Sequence, residues 1–204
     1  MSEGFSEEAG WSAAQRVEAW AGEIRVNLVR LLAIAAFYGH HLLQRYVFKA
    51  EFPPGYHQAA TSLVVAWTLA GLCLHAALSR SWNPPWLRYA AAAFDAAMIA
   101  ALMLISDGPR GPFPLLLYLL IATAALRLDL RLVWTSTLLA LLAYGFACGH
   151  DRWGRRLPPS ARLPRSTQVI AALGLGCAGL LAGQAVRQAK RFARDYADRQ
   201  KDPV

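Results

Sequence analysis

The chain has 204 residues, of which 56% are hydrophobic and only 17% charged, with a formal net charge of +8. Soluble proteins average about 25% charged residues, so little of this chain is available for a soluble domain. The excess of Lys and Arg reads as anchoring of helix ends in lipid headgroups, not as a nucleic-acid footprint.

The first residues are acidic, with Glu3, Glu7 and Glu8. They lack the basic start and apolar run of a secretory signal, so insertion is expected to rely on the first spanning helix. Trp11, Ala14, Val17, Trp20, Ala21, Ile24 and Leu28 then recur at three- and four-residue spacing, with Gln15, Glu18 and Glu23 opposite. This pattern predicts an amphipathic helix lying on the inner membrane surface. The plainer alternative is an extension of the first span.

Six apolar runs follow, and they predict spans at about 25–48, 58–79, 87–106, 113–127, 130–148 and 168–186. Each is near the roughly 20 helical residues that a hydrocarbon core of about 30 Å requires. Glu51-Phe-Pro-Pro-Gly55, Asn83-Pro-Pro85 and Asp107-Gly-Pro-Arg-Gly-Pro112 are turn clusters between them. Only Asp129 and its neighbours Arg127 and Arg131 separate the fourth and fifth runs, so that connection must be tight. The expected fold is an all-α integral membrane bundle of about six helices. Its parts are an interfacial segment at 1–23, a membrane domain at 24–186 and a cytoplasmic helical tail at 187–204.

Placing both termini inside puts 13 basic residues on the cytoplasmic side and 8 outside, out of 21. The positive-inside rule therefore favours that orientation in a bacterial inner membrane. The count places Arg25 and Arg30 in the cytoplasmic segments and leaves Arg152, Arg155, Arg156, Arg162 and Arg165 in an outer loop. The cysteines, Cys73, Cys148 and Cys177, lie in apolar runs without CxxC spacing and read as small packing residues.

Ionisable groups inside hydrocarbon cost about 2.5–3.5 kcal/mol each on insertion scales, so each needs a reason. Asp95 lies seven residues beyond Arg88, and His75 five residues before Arg80. In a hairpin they sit at similar depth, where an Asp95–His75 hydrogen bond would satisfy both. Such a pair either locks two helices together or forms a proton-linked switch. A second polar group comprises Tyr38, His40, His41, His57 and His150. An iron-free cluster is the simpler reading, and one haem b held by His40 or His41 with His57 or His150 is the alternative. No cofactor or metal is otherwise implied, and no catalytic motif is present, neither GxSxG, HExxH nor a Walker loop.

The sixth span contains Gly179-Leu-Leu-Ala-Gly183, a GxxxG that allows close approach of helix backbones. Ala182, Ala185, Ala189, Phe192 and Tyr196 continue the pattern at helical spacing, flanked by Arg187, Lys190, Arg191 and Arg194. This predicts a helix leaving the membrane with a seam for a second copy or a protein partner. A basic helix that only binds anionic lipid is the alternative.

Several of these features occur together: Arg88-Tyr-Ala-Ala-Ala-Ala-Phe-Asp95, Ser106-Asp-Gly-Pro-Arg-Gly-Pro112, Leu117-Tyr118, the tight Arg127–Arg131 connection and the outgoing last helix. The layout resembles the N-terminal multi-helix sensor region of bacterial membrane histidine kinases, those for diffusible fatty-acid signals and type IV pilus regulation. The departure is that residues 187–204 supply no phospho-acceptor histidine motif or ATP-binding domain. The resemblance implies a non-enzymatic input module that hands a membrane signal to a partner through its last helix. The competing expectation is an accessory or scaffold subunit of a larger energy-transducing complex.

Overall fold

The computed structural model describes residues 3–49, 52–80, 84–155 and 163–201, with backbone alone at 3–21 and 197–201. Its helices are α1 (Glu3–Tyr46), α2 (Tyr56–Ser79), α3 (Pro85–Ile105), α4 (Leu115–Leu126), α5 (Leu130–Gly149) and α6 (Arg165–Lys201). A 3₁₀ turn, Gly108–Arg110, lies between α3 and α4, and a π-helical turn, His150–Gly154, extends α5. No strand occurs among the described residues.

Among the described residues, five stretches are long and apolar enough to cross a bilayer: Gly22–Tyr46, Tyr56–Ser79, Pro85–Ile105, Leu130–Gly154 and Arg165–Tyr196. The fourth, α4, has 12 residues and therefore rises only about 18 Å, short of the hydrocarbon thickness. Its length is limited at both ends by sequence. Pro112 and Pro114 precede it, where Leu115 N–H, Leu116 N–H and Leu117 N–H bond to the carbonyls of Pro112, Phe113 and Pro114, three residues back. At the other end Leu128 takes a positive φ of 51°. Asp129, in extended conformation, then accepts hydrogen bonds from Arg131 N–H at 3.0 Å and Leu132 N–H at 3.4 Å. Asp129 is thus the N-cap of α5, and the connection is as tight as the sequence requires.

The chain divides into two compact units. The first comprises Met1–Glu51 with Val64–Pro84, and the second Phe52–Leu63 with Pro85–Val204. Within the first, the backbone of α1 runs unbroken from Glu3 through the predicted interfacial segment into the first span. Glu23, Val26, Asn27, Arg30, Ile34 and His41 are buried on α1, whereas Leu28 and Leu32 are exposed. The sequence pattern puts Glu23 on the polar face of a surface helix and Arg30 in a cytoplasmic segment; both are buried instead. Lipid, unlike water, accepts leucine and rejects charge, so the polar stripe of a membrane helix turns inward.

A polar pin fixes α1 to α2. The Asn27 Nδ2 group donates to the carbonyl of Gly71 at 3.0 Å, and Asn27 Oδ1 accepts from Arg30 Nη1 at 2.8 Å. Gly71 allows this approach, since a Cβ there would lie 3.1 Å from Leu31 Cδ2. Asn27 is wholly buried, so Asn27→Leu removes one acceptor from a buried guanidinium and a donor from Gly71. The expected loss is about 1–3 kcal/mol, measured as unfolding stability of the full chain in detergent. Unchanged stability would show that the pin contributes nothing.

Candidate functional site around the last helix

In the second unit α5 is the central element, packed against α3, α4 and α6. Its buried residues are Leu132, Val133, Ser136, Thr137, Ala140, Ala143, Tyr144 and Ala147. Small residues let its neighbours come close. Ala92, Ala96 and Ala100 are buried on α3, and the glycines of α6 do the same work on the other side.

Three of those glycines are covered from within the chain. A Cβ on Gly174 would meet Tyr118 Oη of α4 at 2.6 Å, and one on Gly179 would lie 2.9 Å from the Thr137 Cβ of α5. Around Gly183 the nearest groups are Leu130 Cδ1 at 3.4 Å and Trp134 Cζ2 at 3.7 Å. Gly176 faces open space. The Gly179–Gly183 pair therefore seats α6 against α5 of the same chain. The Thr137 hydroxyl is itself satisfied by the Val133 carbonyl at 2.8 Å, so it presents its methyl and its Oγ1 as a filled surface.

Toward the C-terminal end of the α6 span lies an apolar collar. Ala92, Ala124, Leu132, Val133 and Val186 form a buried cluster, with Tyr89, Ala125, Leu130, Leu139 and Ala182 packed around it. Through it α6 continues as one 37-residue helix, about 55 Å long against the roughly 30 Å of hydrocarbon. Ala185, between the collar residues Ala182 and Val186, is exposed; beyond the collar Ala189 is half-buried, and Phe192 and Tyr196 are 72% and 67% exposed. Arg187, Lys190, Arg191 and Arg194 are also exposed. At roughly 100° per residue their stripe is centred on the opposite face from the Ala185–Ala189–Phe192–Tyr196 seam.

The opposite end of this unit carries a polar clamp that sequence reasoning missed. Asp151 is buried at 3% exposure and accepts a hydrogen bond from Arg110 Nη2 at 3.0 Å, an ion pair between the α3–α4 loop and the end of α5. Gly108, at φ +68°, lies close to the same carboxylate, since a Cβ there would be 3.3 Å from Asp151 Oδ1. The Arg155 guanidinium donates to the carbonyls of Leu104 and Ser106, capping the C-terminal end of α3 as a cation should. The signal in the sequence was the Gly-Pro-Arg of the loop with an Asp and an Arg four residues apart after α5; five arginines in one segment hid it.

The remaining predicted site residues are divided between the two units. Asp95 is buried on α3 in the second unit, and His75 is exposed on α2 in the first. Within α1, His41 is buried with its ring 6.0 Å from that of Tyr38, while His40 is exposed. His57 is half-buried at the start of α2, and the exposed His150 lays its ring over the Gly154 backbone. Among the described residues no group of three or more His, Cys, Asp or Glu is placed to hold a metal ion.

These helices define an all-α integral membrane protein with a last helix longer than a bilayer requires. Residues 17–190 match the family model described as the PilS-like transmembrane domain, PilS being a pilus-regulation histidine kinase. The chain belongs to this family, a match covering most of its length. No curated protein and no solved structure matches the chain.

The glycine face yields a paired prediction. Gly179→Ala forces a methyl onto Thr137 and should cost about 1–3 kcal/mol by overpacking. Gly176→Ala, directed into open space, should be neutral or stabilising by about 0.5–1 kcal/mol. Thermal unfolding of the two variants in the same detergent measures both, and equal behaviour would contradict the seating of α6 on α5.

Proposed function

We propose that this protein is a non-enzymatic membrane sensor module that passes a signal to a second copy or a protein partner through α6. The observation that carries the reading is the unbroken course of α6 from its seat on α5, through the apolar collar, to an exposed aromatic seam. A helix without a break transmits translation and rotation along its length, whereas a linker would absorb them. The grip on α6 is made by the short Thr137 side chain, a Leu130 methyl and the rigid Trp134 ring, so a small shift of α5 toward α6 displaces it instead of being taken up by flexible side chains. Membership in the PilS-like transmembrane family supports a sensor role.

Exposure of Phe192 and Tyr196 favours a partner over simple lipid anchoring. A helix that only adheres to anionic headgroups needs its cations and gains little from an aromatic seam on the far face. The basic stripe is then free to contact headgroups or acidic groups while the seam faces the partner.

Phase is the test. Inserting two residues after Arg187 rotates the downstream seam by about 200° relative to the membrane domain, and inserting seven rotates it by about 20°. Signal output of the kinase module served by this domain, read as phosphotransfer in native membranes, should change at least severalfold with two residues and return with seven. Equal tolerance of both insertions would reject transmission through α6 and favour the accessory-subunit reading. Co-purification in a large assembly, instead of as a small oligomer, would point the same way.

A further inference from the structure

The clamp at the end of α5 is built on an unusual stretch of backbone. From His150 to Gly154 the helix is π-type, and Arg155 N–H bonds to the His150 carbonyl, five residues back, at 3.2 Å. Such turns are rare, are mostly single, and concentrate at functional positions. Here the π register has a specific consequence. While Asp151, at the start of the turn, holds Arg110, the π register turns Arg155 to the terminal carbonyls of α3. In an α register the Arg155 N–H would bond to the Asp151 carbonyl, and its side chain would rotate about the α5 axis away from α3.

Two glycines bracket the turn, and each is covered by a ring. The Trp153 ring lies over Gly149, with Cζ3 3.1 Å from the position of a Cβ, and the His150 ring lies over Gly154, with Cδ2 at 2.9 Å. Neither glycine has a positive φ requiring it, and glycine in a helix interior disfavours helix relative to alanine. Their use is to admit these rings, and the rings adopt these places in the π register. The turn is thus composed of residues that leave the backbone a choice.

We propose that His150–Gly154 is a two-register latch. In the π register Arg155 caps α3 and the latch is closed; in the α register the cap is withdrawn while the Asp151–Arg110 pair keeps the loop at the end of α5. The latch sets how firmly α5 is tied to α3 at this end. It stands independently of the sensor reading above, which concerns the collar at the other end of α5.

Fluorine NMR of the full chain in lipid nanodiscs tests it, using 5-fluorotryptophan and Trp→Phe variants for assignment. Trp153 should give two resonances in slow exchange. Gly154→Ala, which places a methyl against the His150 ring and favours α-helix, should shift their ratio about fivefold toward the α register. Arg155→Gln, which removes the cap, should shift the ratio in the same direction. A single Trp153 resonance in all three proteins, or a ratio that moves only in Arg155→Gln, overturns the latch and leaves a static clamp. Trp134, beside Gly183, reports the collar in the same spectra. A Trp134 shift that follows Trp153 supports latch and sensor reading together. A moving Trp153 with a silent Trp134 upholds the latch and counts against transmission to α6.

Discussion

The absence of water from hydrocarbon governs this fold. Every polar group placed within a span must find its partner inside the protein, and every apolar group is at ease facing outward. The consequence is most plainly seen on α1, where Asn27 and Arg30 are buried and bonded while Leu28 and Leu32 are exposed. The same solvent removes the hydrophobic drive between helices, so packing has to come from close fit and polar pins. The alanines of α3, the glycines of α6 and the Asn27–Gly71 bond supply these.

That constraint also explains which parts of the architecture the sequence disclosed. Span positions were legible because they depend on composition summed over about 20 residues, and the Asp129 cap was legible because its chemistry is local. The inward turn of Glu23 and Arg30 was not, because the same periodicity fits a helix lying on water or one standing in lipid with its faces exchanged. The shortness of α4 depends on where the Pro112–Pro114 turn ends and where Leu128 reverses the chain. Both are decisions of single residues that an apolar average conceals.

Among candidate functional residues, the GxxxG of α6 was recognised as a close-approach motif, but nothing in the spacing says which helix approaches. Thr137 answers that question, and a threonine in an apolar run carries no mark of it. Asp151 and Arg155 were hidden for a different reason. They lie in a stretch rich in arginine, where positive charge has a sufficient explanation in sidedness, and only the fold shows which carboxylate and which guanidinium of it bond to the α3–α4 loop and the end of α3. Charge counted in bulk says where a segment lies; it does not say which charge is paired.

α5 joins the two features on which the proposed roles rest. Its N-terminal half, through Leu130, Leu132, Val133, Trp134 and Thr137, contributes to the collar and seats Gly179 and Gly183 of α6; its far end carries the clamp on α3. A helix of 20 residues continued by a five-residue turn is short enough to act as a stiff bar between them. Packing on small residues at one end and ionic bonds at the other give the ends different responses. The collar resists compression but yields to sliding, because it is apolar and its contacts are not directional. The clamp resists sliding until its hydrogen bonds break, because guanidinium–carbonyl bonds weaken steeply with misalignment. In the proposed mechanism, then, a displacement of α5 begins where those directional bonds break, and only its component directed across the collar toward α6 is passed on.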